Sequence, residues 1–474
     1  MKKIYVFILA VFAITIIFVI NHTNTKKQEP ATVNEETAAI FVAKNGSDHH
    51  PGTKSKPFRT LKKAAEEAHP GTTIYIRKGI YHEKLIVKHS GTKSKPITFK
   101  AYKQDKVVLS GKKLKNDEGD SSLVSVHNKN YVTIDGLTIQ DLSTNLADET
   151  VIGIFVSGSS RHITLTNNHV QRIKTYADEG NGHGIAVYGT GPMKDIHILY
   201  NTVEDLQLGT SESIVLNGNI DGFSVANNIV RRNDNIGIDL IGFEGTSKNK
   251  KADFVRHGVV KGNKVHDISS YGNPAYGKDY AAGGIYVDGA KYIDIENNTI
   301  FKCDIGIEAT SEHAKKYADH IHIVNNTIYN NYYTGISIGG YDENRGGTKH
   351  SVISKNIIYR NDTKGLDGGQ LLLQHDTQNN VIAKNIITAG PSRIFIANYF
   401  TTNQDNKLAN NVFHREKGKT GVWVWKDETY TSFKGFKDAS GSGTTSSYLD
   451  PLFKNANKHD FRLKKNSPAK KIIE

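Results

Sequence analysis

One short pattern recurs along this chain and limits what it can fold into. It is an apolar–polar alternation that runs into a shared asparagine: RHITLTNNHV, KDIHILYNTV, DGFSVANNIV, GVVKGNKV, KYIDIENNTI, DHIHIVNNTI, SVISKNIIY, NVIAKNIIT and NKLANNVF. The asparagines are Asn168, Asn201, Asn228, Asn263, Asn298, Asn326, Asn356, Asn385 and Asn411, and Leu137 holds the slot in the preceding NYVTIDGLTI. Period-two alternation buries one face of a strand, and a repeat of roughly 26 to 35 residues lies in the range that marks a solenoid. An asparagine stacked on its equivalents can hydrogen-bond through its amide, and asparagine also tolerates turn dihedrals. A second strand type interleaves with the first: GIFVSG, GIAVYG, SIVLNG, GIDLIG, GIYVDG, GIEAT and GISIGG. Two or three short strands per repeat with almost no helix specify an all-β fold, a parallel β-helix over 131–440.

The ends follow from the same logic. Residues 58–69 carry helical periodicity through Leu61, Ala64, Ala65 and Ala68, stopped by Pro70-Gly71. That helix, within an N-terminal cap and first coils over 38–130, would cover the open hydrophobic end of the solenoid. Residues 72–76 and 84–87 read as strands, and 441–474 as a segment packing back to close the last coil. Before all of these, Met1-Lys2-Lys3 precedes an apolar run from Ile4 to Ile20. Residues 1–23 read as a signal peptide or an uncleaved membrane anchor and 24–37 as a polar linker. The expected location is extracellular, secreted or tethered by that segment, with the body a monomer.

Composition narrows the partners. A formal net charge of +13 favours acidic partners, which outside a cell points to uronate polysaccharide, anionic wall polymer or nucleic acid. No basic stripe interleaved with aromatics repeats along the coils, so nucleic acid is not expected. The single cysteine, Cys303, cannot form an internal disulfide and reads as a small buried apolar residue. Insertions at 174–182 and 269–283 precede the second strand type, and those at 243–257 and 339–349 follow it. Loops on both sides of one strand type make that strand the floor of a groove. Asp239, Tyr286 and Glu308 then share an outward column on three successive coils. Coils stacked about 4.8 Å apart put Asp239 and Glu308 roughly 9 to 10 Å apart, and Asp288 roughly 8 Å from Glu308.

FVAKNGSDHHPGTKSKPFRTLKKAAEEAHPGTTIYIRKGIYHEKL at the start, the NNTI steps and DPLF…DFRLKKNSPA near the end resemble secreted right-handed β-helix proteins of the family 9 pectate lyase type and related carbohydrate-active proteins. The resemblance implies a right-handed helix with an extracellular acidic polysaccharide as partner. It also implies a lyase in which Asp234 and Asp239 hold Ca²⁺ while a base removes the C5 proton of a uronate. Lys278, Tyr280, Tyr286 and His257 are the candidate bases. Asn235, Ile236 and Glu308 depart from the family's further carboxylates and lysine base. Ser211 to Asn217 is similar to the alginate and chondroitin lyase type, with Glu212 in place and Asn217 where a lysine is expected. GIYVDG…GIEAT also looks like the paired-carboxylate coils of some β-helix glycosidases, which makes Asp288 and Glu308 a hydrolytic pair. Arg256, His257, Tyr280, Arg345 and His183 are candidate substrate-binding residues. A third reading is a non-catalytic glycan-binding or adhesin solenoid.

Overall fold

The structure, a computed structural model, describes residues 38–114, 119–415, 420–441 and 445–473. The expected signal or anchor at 1–23 and the linker at 24–37 lie outside the described residues. Within them the chain winds as a parallel β-helix, with three strand stacks that recur coil after coil. The first stack, the floor, holds Thr150–Ser157, Ile238–Ile241, Gly283–Asp288, Ile305–Thr310 and Thr334–Ile338. The second is made of strands such as Arg161–Thr166, Lys291–Glu296 and Tyr317–Val324. The third runs through His169–Thr175, Thr299–Cys303 and Thr327–Tyr329. Pairing is parallel throughout these stacks, in registers such as Ile285↔Ile307, Ile293↔Ile321 and Ile300↔Ile328. The inward residues of each coil therefore meet their equivalents and form one continuous core.

The asparagines perform the expected stacking. From Asn168 to Asn411 each Nδ2 donates to the Oδ1 of the next, at 3.0–3.1 Å, and each Oδ1 also accepts the preceding asparagine's backbone N–H. The turn dihedral, however, falls on the residue before. Asn167, Tyr200, Asn227, Asn297, Asn325 and Lys355 have φ between 54° and 58°. A left-handed residue costs roughly 1–2 kcal/mol when it carries a side chain, and the asparagine beside it ties down the amide and carbonyl groups freed by the turn. The first glycine of the floor motif has a steric cause: a Cβ on Gly284 would stand 2.8 Å from the carbonyl oxygen of Gly306 one coil on. Cys303 is buried and free.

Both ends differ in detail from the sequence reading. The helix is shorter than expected, Leu61–Glu67, capped by Thr60 Oγ1, which accepts the Lys63 N–H at 3.1 Å. Its periodic residues are buried as anticipated. The early strands are Thr73–Ile76 and Leu85–Ile86. The last coil is covered by a helix that periodicity did not suggest, Phe433–Ser440, whose Phe436 stacks on Trp423 at 5.6 Å. The C-terminal segment packs further back than expected. Phe453–Asn455 pairs antiparallel with Asp460–Leu463, and Phe461 lies against Tyr329 and Tyr359 on the outside of the third stack.

Replacing Asn298 by alanine removes two donor bonds, to Val260 O and Asn326 Oδ1, and the acceptor used by Asn263. Each buried group left unpaired costs about 1–3 kcal/mol. Asn298→Ala is expected to lose about 3 kcal/mol or more in denaturant unfolding, and Asn297→Gly, which only relieves a left-handed turn, less than about 1 kcal/mol.

Candidate active site

The floor column has the predicted register. Val215, Asp239, Tyr286, Glu308 and Ser337 face outward on successive coils, paired Val215↔Asp239, Asp239↔Tyr286, Tyr286↔Glu308 and Glu308↔Ser337. The exposure of that face differs from a simple open groove. Asp239, Asp288, Tyr286 and Glu308 are 2%, 3%, 6% and 7% exposed, because the loops on both sides fold over the strands.

Floor and walls enclose a cavity of ≈ 480 Å³. Asp239, Tyr286 and Asp288 come from the floor strands, His183 and Glu212 from the start of two others, Tyr276 from the 269–283 loop, and Glu244 and Glu312 from the opposite wall. Five carboxylates thus face one space, and among the described residues no lysine or arginine lines it. Asp288 Oδ1 accepts the Glu312 N–H at 2.7 Å, and the Tyr286 hydroxyl donates to Glu312 Oε1 at 3.2 Å. Arg345 holds this wall from behind by donating to the Glu312 carbonyl at 3.2 Å. Asp239 Oδ1 is buried without a hydrogen-bond partner.

Burial sets the protonation of this cavity, and the neighbouring charges add to it. Burial, with the charges of Glu244 and Glu312, pushes Glu212 up to about 8. Burial, with Glu212, Asp288 and Glu312, holds Asp239 well above the usual carboxylate range, and burial does the same for Asp288 against the opposing Glu312 N–H. His183 is pushed down to about 4 by burial and is therefore neutral near pH 7. It sits 3.1 Å from the Glu212 carbonyl through Nδ1 and 3.1 Å from the Tyr188 hydroxyl through Nε2. A carbonyl can only accept, so Nδ1 carries the proton and Nε2 accepts from Tyr188.

The other sequence candidates lie elsewhere. Glu308 does not line the cavity; its carboxylate accepts from Gln374 Nε2 at 3.1 Å on the next stretch of floor. Asp234 does not line it either, and its Oδ1 accepts the Leu208 N–H at 2.7 Å. Asp234 and Asp239 therefore do not line one cavity. Oxygen donors suited to a hard cation converge instead around Asp239, where one oxygen is unsatisfied. Lys278 is exposed on the loop whose Tyr276 enters the cavity. Tyr280 stacks on Tyr271 at 4.8 Å. Arg256 pairs with Asp221 at 3.3 Å and donates to Asn219, while His257 bonds Asp221 at 2.8 Å and stacks on Tyr292. Neither lines the cavity. Glu244 and Glu312 escaped the sequence reading because they stand in wall loops outside the repeat. Glu212, the glutamate in place in the comparison with the alginate and chondroitin lyase type, lines the cavity just before its floor strand.

Comparison with known proteins places this architecture among right-handed β-helices. A family model described as a Pel9A-like, right-handed β-helix region matches residues 40–236, and one described as a right-handed β-helix region matches 283–437. The uncharacterized protein YwoF of Bacillus subtilis (strain 168) is 56% identical over 474 residues, 100% of both chains. Pectate lyase PEL9 of Emericella nidulans is 34% identical over 85 residues, 18% of this chain and 21% of that one. Among solved structures, pectate lyase Pel9A is 14% identical with a TM-score of 0.44, covering 91% of this chain and 90% of its own. A GH136 lacto-N-biosidase from Eubacterium ramulus is 14% identical with a TM-score of 0.45, covering 80% and 64%.

Glu308 gives this face a pH signature that needs no ligand. Burial raises it from its ordinary 4.5 to about 7, against the hydrogen bonds from Ser337 and Gln374. Between those values the folded chain holds a proton that the unfolded chain has lost, so stability falls as pH rises from about 4.5 to about 7. Each tenfold change in proton affinity is about 1.4 kcal/mol, and the whole effect is of order 3 kcal/mol. Unfolding of Glu308→Gln is expected to match the parent at pH 4 and to exceed it by up to that amount at pH 8.

Proposed function

The chain belongs to the family of the full-length Bacillus subtilis relative, built on a Pel9A-like right-handed β-helix, and on that premise we propose that it cleaves glycosidic bonds in a polysaccharide laid along the floor. The observation that carries this is the convergence of Glu212, Asp239, Glu244, Asp288 and Glu312 on one cavity that, among the described residues, no lysine or arginine lines. Glycosidic cleavage needs a proton for the leaving oxygen and a second carboxylate that activates water or takes the sugar carbon. The buried acids Glu212 and Asp239 supply protons near neutral pH. Glu312, fixed by the Tyr286 hydroxyl and by Arg345, is the carboxylate at the opposite wall. The reading supported here is hydrolysis, with Glu212, Asp239 and Glu312 in place of the Asp288–Glu308 pair. The apolar run before residue 21 supports an extracellular polymer as substrate.

Charge decides what lies across the cavity. A uronate carboxylate there would face further carboxyl groups and, among the described residues, no lysine or arginine to pair with it, which is unfavourable without a cation. The sugars bound at the cut are therefore uncharged, and any acidic groups of the polymer sit beyond it. The second reading is β-elimination at a uronate neutralised by Ca²⁺ bound among these carboxylates. The Pel9A-like region and the stretch shared with a pectate lyase favour it. In that case Ca²⁺ held among these carboxylates would supply the charge that the cavity lacks, and neutral His183, through the Nε2 that now accepts the Tyr188 hydroxyl, is the lining group able to take a proton.

The deciding assay incubates the protein with neutral and uronate-containing polysaccharides, with Ca²⁺ or with chelator, and reads new reducing ends alongside ultraviolet absorbance. Reducing ends without absorbance are expected, and Glu212→Gln or Asp239→Asn should lower the rate by about 10²–10³-fold. Absorbance of an unsaturated uronate that disappears with chelator overturns hydrolysis in favour of the lyase. Binding without either signal overturns cleavage and leaves a glycan-binding solenoid.

A further inference from the structure

Beside the cavity, three side chains from three different segments meet; Glu244 and Asp288 line it, and His313 stands behind them. Asp288 ends a floor strand, Glu244 follows the floor strand Ile238–Ile241, and His313 belongs to the turn after Ile305–Thr310. One ligand atom from each lies within 4.8 Å of the other two. Glu244 Oε1 and His313 Nε2 are 2.9 Å apart, a separation that subtends roughly 90° at an ion about 2.0–2.2 Å from both. We infer that Glu244, Asp288 and His313 form a binding site for a divalent transition-metal ion of the Zn²⁺ class, with coordination positions left open to the cavity. This goes beyond the cleavage reading and does not depend on it.

Two independent features point to a cation here. Asp239, 2% exposed and lining the same cavity, has an oxygen with no hydrogen-bond partner. Buried polar oxygens are rarely left so, and an ion or an ordered water is the usual remedy. The cavity side also presents the further carboxyl groups of Glu212 and Glu312, and among the described residues no lysine or arginine lines it. The imidazole selects the ion. Ca²⁺ and Mg²⁺ take oxygen ligands, whereas one imidazole with two carboxylates suits Zn²⁺, Mn²⁺ or Co²⁺. A second trio, Asp319, His320 and His350, has a similar composition but a different setting. Lys291 and Lys349 flank Asp319 in register. Neighbouring ammonium groups oppose a bound cation there.

The test measures binding directly. Full-length protein carrying His320→Ala and His350→Ala, stripped with chelator and dialysed, is titrated calorimetrically with Zn²⁺ and, in parallel, with Ca²⁺. One Zn²⁺ per chain is expected, bound more tightly than Ca²⁺, with visible absorption bands when Co²⁺ replaces it. His313→Ala and Glu244→Gln, on partly exposed wall positions, should each weaken Zn²⁺ by at least about tenfold while leaving the circular dichroism spectrum unchanged. Unaltered Zn²⁺ affinity in His313→Ala, tighter binding of Ca²⁺ than Zn²⁺, or no uptake of Zn²⁺ overturns the site. Because no glycan is present, failure of the metal site and failure of the cleavage reading are separate results.

Discussion

The amide ladder is the interaction on which the rest of this structure depends. A coil must turn sharply between its second and third strands, and the turn uses a left-handed residue such as Asn297 or Lys355 that an L side chain resists. The asparagine that follows binds the carbonyl beneath and its own equivalent above. Each coil thereby fixes the height and rotation of the next. With the coils held in register, the inward isoleucines and valines meet one another, and the floor residues line up as a column.

That column explains how a basic protein maintains an acidic cavity. The floor strands have no freedom to move Asp239 away from Tyr286 or Asp288, because their backbones are bonded into the parallel stack. Burial on this face raises the proton affinity of Glu212, Asp239 and Asp288. The stack supplies the energy that keeps these groups together, and their mutual repulsion is relieved by protons or by a cation. Among the described residues no lysine or arginine lines this cavity. Fold stability and site chemistry are therefore drawn from the same parallel register.

The sequence was most informative where the structure repeats. The period, the ladder asparagines and the column of Asp239, Tyr286 and Glu308 were all legible, because equivalent residues in a solenoid must occupy equivalent places. Even there, one detail was displaced: the left-handed turn belongs to the residue before each ladder asparagine. The walls were legible only as insertions. Their length signalled a groove, but nothing periodic says which side chain of an insertion turns inward, so Glu244 and Glu312 were not found while exposed Lys278 was chosen. Asp234 fits the spacing of a ligand pair, yet it does not line the cavity and its Oδ1 accepts the Leu208 N–H. Glu308 shows the reverse limit, since its column was right but its partners, Gln374 and Ser337, draw it away from the cavity.

The two caps have a consequence for where the molecule can open. A linear stack melts from its ends inward, because a terminal coil has one neighbour and an internal coil has two. The helix at Leu61–Glu67 and the aromatic cluster of Trp423 and Phe436 close those ends. The coil of Gly283–Asp288 has several coils on either side. Amide protons there should be among the slowest to exchange, and fraying at either cap would shorten the solenoid long before it reached the carboxylates. A protein that crowds like charges together has thus placed them where its backbone is least able to breathe.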